Sequence, residues 1–242
     1  PESPAMKLGF KSFPLDEVGL YGEPEWVNLP RQIVRKPLDL PPIQPRGPQP
    51  IDDGFEQTPV GQRAALAVTS GEESGAAVRV TDETAASGQR CLKLADAPGL
   101  EYAWQPHLYY QPRLRKGIAR LSFAVRLDQG AELIHEWRDA SEPYRVGPSI
   151  RIRPGGQVVA NNKPLMNVPI GQWVRVTIEA PLGSQASGSY TLTVATPGAA
   201  PERFSGLAVG NPQWRTLRWL GFISLADAKT TIYLDDVKLE AR

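Results

Sequence analysis

The sequence predicts an all-β protein in which a two-sheet antiparallel β-sandwich follows an irregular N-terminal tail. Three observations carry this prediction. From residue 51 onward, short runs rich in β-branched and aromatic residues alternate with clusters of Gly, Pro, Asn and Ser, the pattern of strands joined by turns. No stretch has the sustained period of a long amphipathic helix. Eleven of the 24 prolines fall in the first fifty residues, where they oppose regular structure.

The uneven distribution of proline divides the chain into three predicted parts. Residues 1–36 have apolar positions without a sustained period and are too few to bury a core, so they form a tail that packs on another body. Residues 37–50, PLDLPPIQPRGPQP, form a Pro-rich linker, because such segments favour extended polyproline conformations. Residues 51–242 form the β-sandwich.

The strands of the sandwich are predicted from alternation and from the turn residues between them. In residues 118–127, Leu121, Phe123, Val125 and Leu127 share one face, which is the pattern of a half-buried strand. Ten strands are predicted at residues 78–81, 90–95, 102–110, 118–127, 132–138, 149–153, 157–160, 172–180, 189–195 and 204–207. An opening strand near Phe55 and a closing hairpin, 216–224 with 230–239, complete the two sheets.

Composition argues against several classes of function. The formal net charge is +1 over 242 residues, so no field of the whole molecule favours nucleic acid. The single cysteine, Cys91, excludes an internal disulfide and a thiolate metal cluster, and we expect it to be a small buried residue. No apolar run approaches the roughly 20 residues that a membrane-spanning helix needs, so we expect no membrane span.

One carboxylate in the closing strand needs an explanation. The two-residue period of residues 230–239 places Asp235 on the same face as Tyr233, Val237 and Leu239. An aspartate that points the same way as core side chains requires a partner. Trp219 and Phe222, in the preceding strand, are predicted to be core residues.

The opening segment IDDGFE offers partners for this aspartate. First and last strands of a sandwich commonly lie side by side, which brings Asp52, Asp53 and Glu56 toward Asp235 and Asp236. Such a cluster of oxygens is what Ca²⁺ demands. The alternative is that these acids accept backbone N–H bonds at a sheet edge and discourage pairing with other chains.

An aromatic and basic region, residues 101–153, is the candidate sugar-binding site. Flat rings stack on the apolar face of a pyranose, while Arg, His and Glu form hydrogen bonds to hydroxyls or to a uronate carboxylate. The candidate residues are Trp104, His107, Tyr109, Tyr110, Trp137, Arg151 and Arg153. The alternative for each ring is a place in the core.

No motif indicates catalysis. Glu132 and Glu136 share a strand face and could flank a glycosidic bond, but two carboxylates without further context are a weak indication. The sequence contains no GxSxG, HExxH or P-loop motif. We therefore expect that the chain is not an enzyme in its own right.

Two resemblances to known families follow from these segments. Residues 3–26, SPAMKLGF…DEVGLYGEPEW, resemble the C-terminal tail of bacterial right-handed parallel β-helix proteins of the pectate-lyase-like type. The segments DDGFEQTPVG, GPSIRIRPGGQV, GQWVRVTIEA and WRTLRWLGFISLADAKTTIYLDDVKL resemble a concanavalin A-like, jelly-roll domain of the kind appended to secreted bacterial glycoside hydrolases and polysaccharide lyases. The second resemblance implies a structural Ca²⁺ held by Asp53 or Glu56 with Asp235, and a secreted or periplasmic location.

The expected function is that of a non-catalytic carbohydrate-binding module that targets a parent polysaccharide-degrading enzyme to its glycan. The excess of Arg and Lys between Arg113 and Arg126 favours an acidic polysaccharide as the partner. One alternative is a structural accessory that packs on the parent β-helix domain without binding sugar. Another is a small glycosidase or polysaccharide lyase.

Overall fold

The structure is a computed structural model that describes residues 4–11, 18–34 and 47–242. The chain divides into two compact units, Pro1–Pro45 and Arg46–Arg242. No helix in the described ranges is long and apolar enough to cross a membrane.

The first unit contains two helices that the sequence analysis did not predict, α1 (Pro4–Lys7) and α2 (Pro24–Gln32). Pro24 opens α2, where its fixed φ and missing N–H suit the first turn. Glu25 in the first turn and Arg31 in the last turn interact favourably with the helix dipole. The described residues of this unit contain no strand, so nothing in them supports the resemblance to a β-helix end.

The predicted linker, 37–50, is described only from Gly47 onward, and its other residues lie outside the described ranges. The backbone N–H of Gln49 donates to the carbonyl oxygen of Pro112 at 2.8 Å. This end of the linker therefore lies on the sandwich. The predicted domain limits stay a prediction.

The second unit is a sandwich of two antiparallel sheets, with fifteen strands among the described residues. The first sheet consists of β1 (Ile51–Asp53), β3 (Ala77–Thr81), β4 (Cys91–Asp96), β6 (Gly117–Leu127), β11 (Val174–Leu182), β12 (Ser189–Ala195), β13 (Glu202–Ala208) and β15 (Thr230–Ala241). The second sheet consists of β2 (Val68–Ser70), β5 (His107–Tyr110), β7 (Leu133–Arg138), β8 (Val146–Ile152), β9 (Gln157–Ala160), β10 (Lys163–Asn167) and β14 (Trp219–Ser224).

The strand order confirms the predicted two-sheet antiparallel fold. The first sheet runs β13-β12-β11-β6-β15-β4-β3 with β1 beside β15, and the second runs β10-β9-β8-β7-β14-β5-β2. Asp53 pairs with Val237, so the first and last strands of the sandwich lie side by side as expected. The edge strands β2 and β10 were not predicted. β2 has only three residues, and β10 contains Pro164, which a strand tolerates at a sheet edge.

The core lies between the sheets and follows the predicted alternation. Leu121, Phe123 and Val125 of β6 are completely buried. Phe123 packs edge-to-face against Phe222 of β14, with ring centroids 5.0 Å apart, so the predicted core position of Phe222 is confirmed. Burial of each such side chain stabilises the fold by about 1.5–3 kcal/mol. Cys91 is a buried free thiol, as predicted.

Strand β15 departs from the predicted period at Asp235 and Asp236. Its register against β6 shifts after Asp235, and Asp236 has a φ of 49°, which marks a β-bulge. Val237 and Leu239 belong to the core cluster, whereas Tyr233 and Asp235 lie outside it on the outer face of the first sheet. The prediction that all of them share one face is therefore wrong, because the bulge exchanges the two faces.

Candidate functional site

The outer face of the second sheet is the candidate functional site. Alternation along β5 and β7 directs Leu108 and His135 into the core, where both are completely buried. The residues next to them in each strand therefore face outward. Gly221 of β14 pairs with Tyr109 of β5 on one side and with Glu136 of β7 on the other, so these three residues cross the outer face side by side.

Five rings form a continuous row on this face, which we name the ring row: Tyr102, Trp104, His107, Tyr109 and Trp219. Tyr102 and Trp104 are stacked with centroids 4.8 Å apart, and Trp104 meets His107 edge-on at 5.1 Å. His107 stacks on Tyr109 at 5.9 Å, and Tyr109 stacks on Trp219 at 5.6 Å. Tyr102 and Trp104 are each 44% exposed. The row is thus held by its own contacts and is open to solvent at one end.

Arg138 extends the ring row beyond Trp219. Its guanidinium carbon lies 4.1 Å from the centroid of Trp219 and 4.3 Å from that of Tyr144. A guanidinium held over aromatic faces gains cation–π attraction. The Nε of Arg138 donates a hydrogen bond to Glu136 on the same strand. Tyr144 is 52% exposed, so this end of the row is also accessible.

A second arginine–carboxylate pair lies on the same face. The Nε of Arg151 donates to Glu132, and this bond raises the pKa of Arg151. Arg153 directly follows β8, and its Nη1 donates to Oε1 of Gln157 at 3.2 Å. Because guanidinium and carboxylate groups are paired here, the face offers both hydrogen-bond donors and acceptors.

The imidazole of His107 is uncharged at neutral pH. Burial within the ring row lowers its pKa, and the positive charge of Arg138 lowers it further. A neutral imidazole has one donor and one acceptor nitrogen. Its Nδ1 is buried without a hydrogen-bond partner among the described residues, and the neutral ring adds no positive charge to the face.

Two predicted site residues, Tyr110 and Trp137, lie in the core, and their assignment to the site is wrong. Tyr110 is 2% exposed and Trp137 is completely buried. The hydroxyl of Tyr110 donates to Asp53 at 3.2 Å, and Nε1 of Trp137 donates to Nε2 of His135 at 2.9 Å. Both polar atoms are satisfied inside the sandwich, and neither ring has a face free for a ligand.

The structure brings the other predicted residues to one face. Trp104, His107 and Tyr109 are members of the ring row, and Arg151 and Arg153 flank it. Their assignment to sugar binding stays a prediction.

Trp219 is a site residue that the sequence analysis missed. We expected it in the core, but it is partly exposed and belongs to the ring row. Leu220 and Phe222, which belong to the same strand, are completely buried. A two-residue period counted from Phe222 places Trp219 on the opposite face, so the signal was present in the sequence.

The predicted Ca²⁺ ligand Asp235 is surrounded by N–H donors. Its Oδ2 accepts the backbone N–H groups of Ala86 at 2.8 Å and Ser87 at 3.1 Å, and its Oδ1 accepts that of Asp236 at 2.7 Å. Burial raises the pKa of Asp235, and the three N–H bonds oppose this shift. The loop that contains Ala86 and Ser87 is therefore the partner that this carboxylate requires.

The other two predicted ligands, Glu56 and Asp53, also accept hydrogen bonds. Oε1 of Glu56 accepts the backbone N–H groups of Gln89 at 2.8 Å and Arg90 at 2.9 Å. Asp53 accepts from the hydroxyl of Tyr110, and burial raises its pKa. The alternative expectation, acids that accept backbone N–H bonds, describes both Asp235 and Glu56.

These residues do not fit a Ca²⁺ ion. The ion needs six to eight oxygen ligands, whereas the carboxylate oxygens here face hydrogen-bond donors that a cation would have to displace. In the described part of the chain, no three His, Cys, Asp or Glu side chains are grouped so that they could hold a metal. Calcium stays a prediction that chelation can test.

Comparisons with known proteins give a fold and no family. Neither profiles of protein families nor curated protein sequences match the chain. Among solved structures, an endo-β-1,4-glucuronan lyase from the fungus Trichoderma reesei is 13% identical with a TM-score of 0.52, over 72% of this chain and 90% of that one. The fold is a concanavalin A-like jelly roll.

Two further structures have the same TM-score of 0.52. A PL-14 alginate lyase from Aplysia kurodai is 9% identical over 74% of this chain and 91% of its own. The cellulose induced protein Cip1 is 13% identical over 79% of this chain and 97% of its own. At these identities the likeness establishes the two-sheet sandwich and nothing about the site.

Proposed function

We propose that the β-sandwich is a non-catalytic carbohydrate-binding module that holds a polysaccharide along the ring row. The observation that carries this proposal is the unbroken contact of five rings on one outer sheet face, from Tyr102 to Trp219. Flat rings with an open face stack on pyranoses, and Tyr102 and Trp104, the two most exposed rings of the row, are the ones on which a sugar would stack.

Polar groups beside the row support the proposal. The pairs Arg138–Glu136 and Arg151–Glu132 offer charged donors and acceptors to the hydroxyls of a bound sugar. Two of the solved structures with this fold bear the names of enzymes that act on polysaccharides, a glucuronan lyase and an alginate lyase. A carbohydrate ligand is consistent with both observations.

The module would act by targeting. Attached to a parent polysaccharide-degrading enzyme, it raises the concentration of that enzyme at the glycan, because binding by one part makes the encounter of the other part intramolecular. A secreted or periplasmic location, where polysaccharides are met, belongs to the same proposal.

Native gel electrophoresis in the presence of soluble polysaccharides tests the proposal. We expect at least one polysaccharide to retard the protein, and we expect Tyr109→Ala and Trp219→Ala each to weaken binding about tenfold, which corresponds to about 1.4 kcal/mol. Trp173→Ala is the matched control, because Trp173 lies near Tyr233 on the outer face of the first sheet.

Two results would overturn the binding proposal. One is that no polysaccharide in a panel of neutral and acidic polymers retards the protein, which would favour the structural accessory role. The other is that Trp173→Ala weakens retardation as much as the ring-row variants do.

A polysaccharide lyase is the second candidate function, favoured by the two solved structures of this fold that bear the names of lyases. A lyase base removes the proton α to a uronate carboxylate, and the glycosidic oxygen leaves as a double bond forms. His107, neutral because its pKa is lowered, has the protonation state of such a base. Release of unsaturated uronate, followed by its ultraviolet absorbance and lost in His107→Gln, would establish this function instead.

A further inference from the structure

A pocket of about 330 Å³ opens at the Trp219 end of the ring row, and we name it the edge pocket. Trp219 and Tyr144 supply its aromatic walls. Arg138 and Arg218 line it with guanidinium groups, and residues 139–142 form its rim. The rim includes the carboxylates of Asp139 and Glu142, so the pocket continues the ring row into a site that holds both guanidinium and carboxylate groups.

Arg218 differs from the other arginines of this face. Arg138 is paired with Glu136, and Arg151 is paired with Glu132. Arg218 takes part in no ion pair with any residue that the structure describes, and its Nη1 is buried without a hydrogen-bond partner there. A buried donor without an acceptor is costly, and more so when it is charged. The guanidinium of Arg218 is thus a place where an anionic group would be favoured.

Two carboxylates line the edge pocket, those of Asp139 and Glu142, and that of Asp139 forms its hydrogen bonds within its own loop. Oδ1 of Asp139 accepts the N–H of Ser141 at 3.0 Å, the hydroxyl of Ser141 at 2.7 Å and the N–H of Arg145 at 2.8 Å. Although burial acts to raise it, these bonds hold the pKa of Asp139 below its ordinary value. Asp139 therefore stabilises the rim and does not neutralise Arg218.

The basic segment that favoured an acidic polysaccharide in the sequence does not supply this charge. Arg120 is paired with Glu179, its partner across the first sheet. Arg126 lies over the ring of Tyr233, also on the first sheet, 5.3 Å from its centroid. These two arginines are engaged on the first sheet, so they do not contribute to the edge pocket.

We infer that the edge pocket binds the carboxylate of a uronosyl residue, so that the glycan held on the ring row is a polyuronate. This inference rests on the proposed function and names its substrate class. The planar fork of a guanidinium matches both oxygens of a carboxylate. The carboxylate of a uronic acid lies at the edge of the pyranose ring, so a sugar that enters the edge pocket beside Trp219 presents it to Arg218, the neighbouring residue in the pocket wall.

Titration of the protein with three polymers tests the inference. The polymers are polygalacturonate, the same polymer with its carboxylates methyl-esterified, and dextran sulfate. We expect polygalacturonate to bind most tightly and Arg218→Gln to weaken its binding tenfold or more, without changing the binding of the esterified polymer. Arg218→Lys keeps the charge but loses the fork, so its affinity should lie between those of the wild type and Arg218→Gln.

Arg120→Gln is the control, because it removes the same charge from an exposed arginine of the first sheet. It should leave all three affinities unchanged, and melting curves will verify that each variant is folded. Equal binding of polygalacturonate and its ester, tightest binding of dextran sulfate, or an unaltered affinity of Arg218→Gln would overturn the inference while leaving the proposed function intact. If none of the polymers binds and Trp219→Ala changes nothing, the proposed function fails as well.

Discussion

The indole of Trp219 lies over Gly221, two residues further along β14, so closely that a Cβ atom at position 221 would overlap the indole ring. Gly221 also sits between Tyr109 and Glu136 in the sheet, at the centre of the candidate site. The absence of a side chain at this one position is what lets Trp219 lie against the sheet and contact Tyr109.

Gly221→Ala should therefore displace Trp219 without removing any ring. We expect glycan affinity to fall nearly as far as in Trp219→Ala, with a stability loss of about 1–3 kcal/mol from overpacking. Retardation in polysaccharide gels and urea denaturation measure the two effects. Gly47→Ala is the control, because a Cβ there meets no atom within 4 Å. An unaltered glycan affinity in Gly221→Ala would mean that the position of Trp219 is irrelevant to binding.

The buried imidazole of His135 predicts a loss of stability in acid. Burial lowers its pKa from 6.5 to about 3, and Trp137 donates to its Nε2, so the folded state holds it neutral. Between these pH values the unfolded chain binds the extra proton, so the stabilisation is complete above pH 6.5 and is lost as pH falls toward about 3. The slope approaches about 1.4 kcal/mol per pH unit.

His135→Gln isolates this effect, because glutamine keeps an acceptor for Trp137 but does not titrate. We expect the difference in unfolding free energy between wild type and variant to shrink as pH falls through this window. Asp53 and Asp235, whose pKa values burial raises, act in the opposite direction in both proteins and cancel in the difference. A difference that is constant with pH would contradict the assignment.

Asp235 should contribute more to the free energy of unfolding than its neighbour Asp236. Asp235→Ala leaves the N–H groups of Ala86 and Ser87 without an acceptor, and we expect it to cost about 2–3 kcal/mol. Asp236→Asn weakens the exposed pair with Arg175 but keeps an oxygen that accepts from the hydroxyl of Ser87, so it should cost below about 1 kcal/mol. Urea denaturation gives both values. A similar loss of unfolding free energy in the two variants would show that the N–H bonds to Asp235 do not stabilise this part of the fold.

A calcium chelator should not change the melting temperature. A ligand that binds only the folded state stabilises it, so a structural Ca²⁺ site would make the melting temperature rise with added Ca²⁺. We expect no rise, because N–H donors already occupy both oxygens of Asp235 and Oε1 of Glu56. An increase of several degrees on adding Ca²⁺ to chelator-treated protein would restore the calcium prediction.

The alternation of apolar and polar residues predicted the strands well, because the burial of one sheet face requires this alternation. Leu121, Phe123 and Val125 are core residues in both the sequence pattern and the structure, since a one-residue slip would expose them all. The pattern failed at Asp235 and Asp236, where a bulge reverses the faces of β15. The sign of the bulge in the sequence is the switch of apolar positions from Ile232 and Leu234 to Val237 and Leu239, which a constant two-residue period passes over.

The site was harder to predict than the fold, because a large ring suits both a core and a ligand platform. Trp137 and Tyr110 fill the core, whereas Trp219 and Tyr109 lie on the outer face. Composition does not separate rings in the core from rings on the outer face. The strand register decides which rings contact one another. Arg218 carried no sequence signal, because its importance depends on the lack of a paired carboxylate among the described residues.

The position of β15 in the middle of the first sheet has a consequence for how the protein is made. β15 joins β6 to β4 and also pairs with β1, so Ile51 finds its partner, Leu239, only after almost the whole sandwich has been synthesised. Contacts this distant in sequence close slowly. During synthesis, the edges of β4 and β6 that pair with β15 therefore stay unpaired until β15 has been made. Only then does the first sheet become continuous.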